Sequence, residues 1–115
     1  MALTKEMVLE EMKKGAVVVN VLGKPAFEDL HIKGSINIPL GDKKDDDFAR
    51  EVEALLGRDK MIITHCSGYS CAAGPRAASI LKSRGLKAED YPGGIEEWSK
   101  SKLPVAGKKK SLQSF

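Results

Sequence analysis

The chain has 115 residues, 42% hydrophobic and 30% charged, with a net charge of +3. That length fits one domain with a core that needs no staples, and two cysteines exclude a disulfide-rich secreted scaffold. Lys108, Lys109 and Lys110 account for much of the positive excess, so the charge carries no nucleic-acid footprint, and no stretch is long and apolar enough to span a membrane.

In MALTKEMVLEEMKKG, acidic residues interrupt the apolar ones and no small-residue cleavage site follows, unlike a signal peptide. Thr4 can cap a helix running to about Lys14, with Met7, Leu9 and Met12 among its apolar positions and Gly15 as its stop. AVVVNVL, 16–22, is a largely apolar run rich in β-branched valine, the mark of a strand buried on both faces in a parallel sheet. KPAFEDL suggests a short helix with Pro25 near its start. SINIPL, 35–40, reads as a second strand. DDDFAREVEALLGR reads as a helix, with aspartates at its positive end, a stripe of Phe48, Val52, Leu55 and Leu56, and Gly57 closing it.

KMIITHC, 60–66, is another doubly buried strand. PRAASILKSR follows as a helix with Pro75 in its first turn and Gly85 after its end. KAEDY reads as an edge strand and GGIEEWSKS as a tight turn with a short helix. LPVAGKKKSLQSF looks like a tail. This alternation predicts an α/β fold, with helices on both faces of a small, mostly parallel sheet. Such folds bind ligands beyond the carboxyl ends of the strands, where THCSGYSCAAGPR, 64–76, falls.

Both cysteines lie in that stretch. Cys66 stands where a strand ends and a helix is about to begin, so the helix dipole and unpaired N–H groups favour its thiolate. The amides of Ser67, Gly68, Tyr69, Ser70, Cys71, Ala72 and Ala73 could cradle an anion, and Arg76 adds a fork for tetrahedral oxyanions. Gly68 and Gly74 let the backbone curl without a Cβ penalty. Cys71 is near enough in sequence to resolve a sulfenic acid or persulfide on Cys66 by forming a disulfide. The same placement also suits two ordinary buried thiols, and a reducing cytoplasm would keep both free. His65 should point to the opposite sheet face from Cys66, and His31 suits a structural turn. The Cys and His spacing matches no short zinc motif, and neither a phosphate loop nor a dinucleotide fingerprint is present, so no metal or cofactor is expected.

Three segments together resemble the rhodanese family of single-domain sulfurtransferases. HIKGSINIPL is similar to the family's H-I-x-G-A-x-x-x-P segment, with Ser35 as the small residue. A strand ending in cysteine precedes a helix bearing Ala77, Ala78 and Leu81. YPGGIEEW resembles the closing G-G-x-x-x-W segment, ending in Trp98. The resemblance covers about residues 4–104 and implies a rhodanese-like three-layer fold with a five-stranded sheet; the domain is expected over 1–104, with a basic, flexible tail over 105–115.

It also implies that Cys66 is the catalytic cysteine of a thiosulfate sulfurtransferase. Sulfane sulfur would pass from a small anionic donor such as thiosulfate to cyanide, a thiol or a protein acceptor, with neither nucleic acid nor membrane involved. The chain departs from the pattern in two places. Asn20, Val21 and Leu22 replace the usual D-x-R, and an extended C-x4-C loop puts Cys71 where the family has arginine. The family's phosphatase and arsenate-reductase relatives need an arginine where this chain has Ala72.

Overall fold

In the computed structural model, residues 2–110 are described, and four parallel strands form the central sheet. They are β1 (Val17–Asn20), β3 (Ile36–Asn37), β4 (Ile62–His65) and β5 (Ala88–Asp90), in the order β3-β1-β4-β5. The longest pairing runs from Val17 opposite Ile62 to Asn20 opposite His65. β1 and β4 occupy the centre, which is why their sequences are apolar on both faces.

Alternation along these strands divides the core in two. Val19, Ile62 and Ala88 face α3 (Asp45–Leu56) and α4 (Ala73–Ser83), meeting Phe48, Val52, Ala77 and Leu81. Val18, Ile63 and Tyr91 face the other way, onto Val8 of α1 (Lys5–Lys13) and onto Ile95 and Trp98 of α5 (Gly94–Lys100). Helices therefore cover both faces, as the alternating pattern predicts.

The caps follow the sequence closely. Thr4 Oγ1 accepts the Met7 amide, and α1 ends at Lys13, just before Gly15. Val8 is its one fully buried residue, while Met7, Leu9 and Met12 pack at the margin of the core. Pro25 sits in the first turn of α2 (Lys24–Asp29). α3 opens on three aspartates and ends at Gly57. Of its expected stripe, Leu55 is exposed instead.

Two expectations need correction. The central sheet has four strands rather than five; two further strands, β2 (His31–Ile32) and β6 (Val105–Ala106), form a separate antiparallel ribbon. The packed chain also does not stop at residue 104. Val105 pairs with Ile32 and is buried, Trp98 Nε1 donates to Pro104 O at 2.8 Å, and the amides of Lys108 and Lys109 donate to Glu28 O and Asp29 O. Backbone pairing holds this segment, so no side-chain periodicity announces it. The remainder of the expected tail, 111–115, lies outside the described residues.

His31 has the structural place expected of it. Its ring stacks on Phe27 with centroids 3.8 Å apart, and Nδ1 lies 2.7 Å from Phe27 O in the last turn of α2. Facing a carbonyl, that nitrogen must be the donor.

Candidate functional site

The segment from Cys66 to Ala72 joins β4 to α4 at the carboxyl end of the sheet. Cys66 is 3% exposed, and its Sγ accepts the Gly74 amide at 3.2 Å. Gly74 is the second residue of α4, so the sulfur sits on a donor that no helix carbonyl can reach. The dipole of an 11-residue helix reinforces that donor.

The rest of Cys66 is also held. Its carbonyl accepts Ile95 N–H at 3.2 Å and faces His65 Nδ1 at 3.0 Å. The next carbonyl, Ser67 O, accepts Glu96 N–H at 2.9 Å. Two orphan amides at the start of α5 thus clamp the entrance of the loop. Gly94 makes this approach possible: its φ is +61°, and a Cβ there would run into Cys66 O and Ser67 O. That is the physical reason for the second glycine of YPGG.

Gly68 and Gly74 do not adopt left-handed conformations. What they provide is space: a Cβ on Gly68 would strike the Glu96 carboxylate, and one on Gly74 would strike Asp90 Oδ1. The helix begins at Ala73, two residues before Pro75, and so takes over residues that the sequence reading gave to the loop.

Within the loop, Cys71 N donates to Gly68 O at 3.0 Å, closing a turn. Among the described residues, the amides of Ser67, Gly68, Tyr69, Ser70, Ala72 and Ala73 donate no hydrogen bond. Tyr69 is 73% exposed, and its hydroxyl donates to Glu97 Oε2 at 3.0 Å. The other Glu97 oxygen accepts the Tyr91 hydroxyl at 2.7 Å. Between the loop and α5 opens a cleft of about 440 Å³, lined by Tyr69, Ser70, Glu96, Glu97 and Lys100 among others.

The two sulfurs are joined. Cys66 and Cys71 form a disulfide, with Cα atoms 6.3 Å apart, in place of the free thiols expected of a reducing compartment. Cys71 is half-buried, against nearly complete burial of Cys66. Arg76 is not gathered in with them: its exposed guanidinium bonds Asp45 of α3 at 3.1 Å.

Four buried polar side chains, His65, Asn20, Thr64 and Asp90, surround this arrangement. His65 points to the face opposite Cys66, as alternation requires, and burial pushes its imidazole down to about 4. Facing a carbonyl through Nδ1, the neutral ring carries its proton there. Asn20, at the first position of the absent D-x-R, accepts Leu22 N–H at 2.9 Å through Oδ1 and closes the end of β1. Burial raises the Asp90 carboxyl to about 6, against the lowering effect of the Thr64 hydroxyl. Thr64 Oγ1 lies 2.9 Å from Gly74 O and 3.1 Å from Asp90 Oδ1. One hydroxyl proton cannot serve both at once, so Gly74 O and the Asp90 carboxyl compete for the Thr64 hydroxyl. Sequence reasoning missed Gly94, Ile95, Thr64 and Asp90; only the glycine pair carried a signal.

Among the described residues, no group of His, Cys, Asp and Glu is arranged to hold a metal ion, and no helix is long and apolar enough to cross a membrane.

Known proteins share this arrangement at the level of the fold. The chain superposes on the BH2092 protein of Bacillus halodurans with a TM-score of 0.79 and 29% identity, over 94% of this chain and 77% of that one. A rhodanese-related protein of Thermoplasma volcanium gives 0.73 and 27%, over 91% and 96%. The rhodanese-like domain of an Anabaena protein gives 0.76 at 18% identity, over 96% and 81%, a likeness of fold alone. In sequence, the chain is 30% identical over 105 residues to the HTH-type transcriptional regulator Rv0324 of Mycobacterium tuberculosis. The match takes in 90% of this chain but spans only 44% of that regulator. The sequence model of the Rhodanese-like domain matches residues 4–101, nearly the whole chain. The chain therefore belongs to the rhodanese-like domain family.

Proposed function

We infer that this chain is a sulfurtransferase or sulfur carrier that works through a persulfide on Cys66. The observation that carries the reading is the Cys66 sulfur at the end of β4, against the Gly74 amide, in a chain of this family. In the reduced protein the Cys66 thiolate attacks the outer sulfur of a donor such as thiosulfate. The sulfur–sulfur bond of the donor breaks and sulfite leaves with its electron pair. The persulfide then yields its outer sulfur to a thiophilic acceptor: cyanide, a thiol or a protein.

Anion binding falls to the amides of Ser67, Gly68, Tyr69, Ser70, Ala72 and Ala73, which donate no other hydrogen bond, while the Cys71 amide closes the turn onto Gly68 O. Arg76 assists only on leaving Asp45. The reaction uses the thiol alone, with no cofactor, nucleic acid or membrane. A reducing compartment such as the cytoplasm suits it, because the Cys66–Cys71 bond must be open for the first step. The test is thiosulfate:cyanide transfer by reduced protein. Activity should fall to background in Cys66→Ser, and full activity in that variant would overturn the assignment.

Two other readings each have an observation behind them. The relative named as a transcriptional regulator, together with Asn20 and Leu22 in place of the charged D-x-R pair, favours a non-catalytic binding or regulatory module. Rapid, saturable sulfur loading would count against it. The Cys66–Cys71 bond favours a thiol-redox or arsenate-reductase-like enzyme. Mild peroxide should then remove two hydrogens from the intact mass of the reduced protein, and a product carrying added oxygen instead would count against it.

A further inference from the structure

The disulfide identifies which atom the Cys71 sulfur can reach. It meets Cys66 Sγ itself, and in a persulfide on Cys66 that atom is the inner sulfur of the pair. The turn closed by Cys71 N–H on Gly68 O keeps the two residues in that relation. Cys66 is fixed meanwhile, through Gly74 N–H on its sulfur and Ile95 N–H on its carbonyl.

We propose that Cys71 resolves the Cys66 persulfide from within and releases hydrosulfide, so that the chain reduces sulfane sulfur as well as transferring it. This rests on the sulfur-transfer reading above. The Cys71 thiol attacks Cys66 Sγ and the new Cys66–Cys71 bond forms. The bond between Cys66 Sγ and the outer sulfur breaks, and the outer sulfur leaves as hydrosulfide with the bonding pair and the thiol proton. The sulfane sulfur gains two electrons and the two cysteines lose two, ending in the disulfide that the structure contains. An external dithiol then reduces that bond and restores both thiols.

Two physical arguments favour this outcome over delivery to an outside acceptor. A partner five residues away competes at an effective concentration on the order of millimolar or more, with no diffusion step. Attack on the outer sulfur would merely move the persulfide to Cys71, and needs a reach beyond the contact that the structure shows. Cys66 Sγ is also nearly enclosed, which favours a resident thiol over a dissolved one.

The test is a single turnover without added thiol or cyanide. Reduced, desalted, anaerobic protein is mixed with excess thiosulfate, and sulfide, sulfite and intact mass are followed. The unmodified chain should release one equivalent each of sulfite and sulfide and finish two hydrogens lighter than its dithiol form. Dithiothreitol should make sulfide release continuous. Cys71→Ser should release sulfite but no sulfide, and should retain one added sulfur on residue 66. An unmodified chain that keeps the added sulfur and releases no sulfide would overturn the inference while leaving sulfur transfer intact, as would equal sulfide release by Cys71→Ser. If Cys71→Ser takes up no sulfur and releases no sulfite, the sulfur-transfer reading itself falls.

Discussion

The Cys66 carbonyl lies against the Cα of Gly94, and no side chain fits between them. Alanine at position 94 would be strained by the left-handed φ of +61° and its Cβ would still strike Cys66 O and Ser67 O, so the entrance of the loop must move outward. The cost should be about 1–3 kcal/mol, read from urea unfolding. Sulfur loading should fall further than stability does, because the clamp formed by Ile95 N–H and Glu96 N–H would be displaced with it. Full loading in a folded Gly94→Ala chain would separate the clamp from the chemistry.

Asp90 and Cys66 meet through Gly74, which offers its amide to one and leaves Cβ space for the other. Above a pH of about 6 the Asp90 carboxyl ionises and adds negative charge beside the sulfur. Asp90→Asn should therefore favour the Cys66 thiolate in the reduced protein and move its alkylation to lower pH. The pH dependence of iodoacetamide labelling at Cys66 measures this; an unchanged profile would show that the two groups do not interact.

His65 and Asp90 should pull stability in opposite directions with pH. The folded His65 pKa is lowered from 6.5 to about 4, so its contribution is complete above 6.5 and is lost as pH falls toward 4. The folded Asp90 pKa is raised from 3.8 to about 6, so its contribution is complete below 3.8 and is lost as pH rises through 6. Between these limits the two nearly cancel in the unmodified chain. Asp90→Asn should expose the His65 effect and lose about 2 kcal/mol more than the unmodified chain between about pH 7 and about pH 4.5. Parallel stability curves for the two proteins would refute this.

Ending the chain at Leu103 should destabilise it by about 3 kcal/mol. It removes the buried Val105 and leaves the Trp98 indole N–H without its carbonyl. Unfolding followed by Trp98 fluorescence reports both losses, and an unchanged midpoint would mean that β6 contributes nothing.

How far the sequence could be read depended on where each residue's signal lay. β1 and β4 were legible because burial on both faces favours clustered apolar, mostly β-branched residues, Val17 to Val19 in one and Met61 to Ile63 in the other. Thr4, Gly57 and the strand-to-cysteine junction were legible because caps and turns demand particular residue types. β2 and β6 were not, because two residues carry no periodicity and their pairing is a backbone matter between segments some seventy positions apart. Asp90 was hidden for a similar reason. As the last residue of an edge strand it looked polar and solvated, and only the packing of α4 encloses it. Arg76 shows the reverse. Its type and position suited an oxyanion, but Asp45 comes from a different helix and takes its guanidinium.

The unequal burial of the two bonded cysteines gives their disulfide a direction. A dissolved thiol meets the half-buried Cys71 before it can meet Cys66. Attack at Cys71 makes Cys66 the departing sulfur, and the Gly74 amide is already in place to receive its negative charge. Attack by a first thiol thus leaves a ready Cys66 thiolate with that thiol held in a mixed disulfide on Cys71, and a second thiol, or the other arm of a dithiol, then frees Cys71.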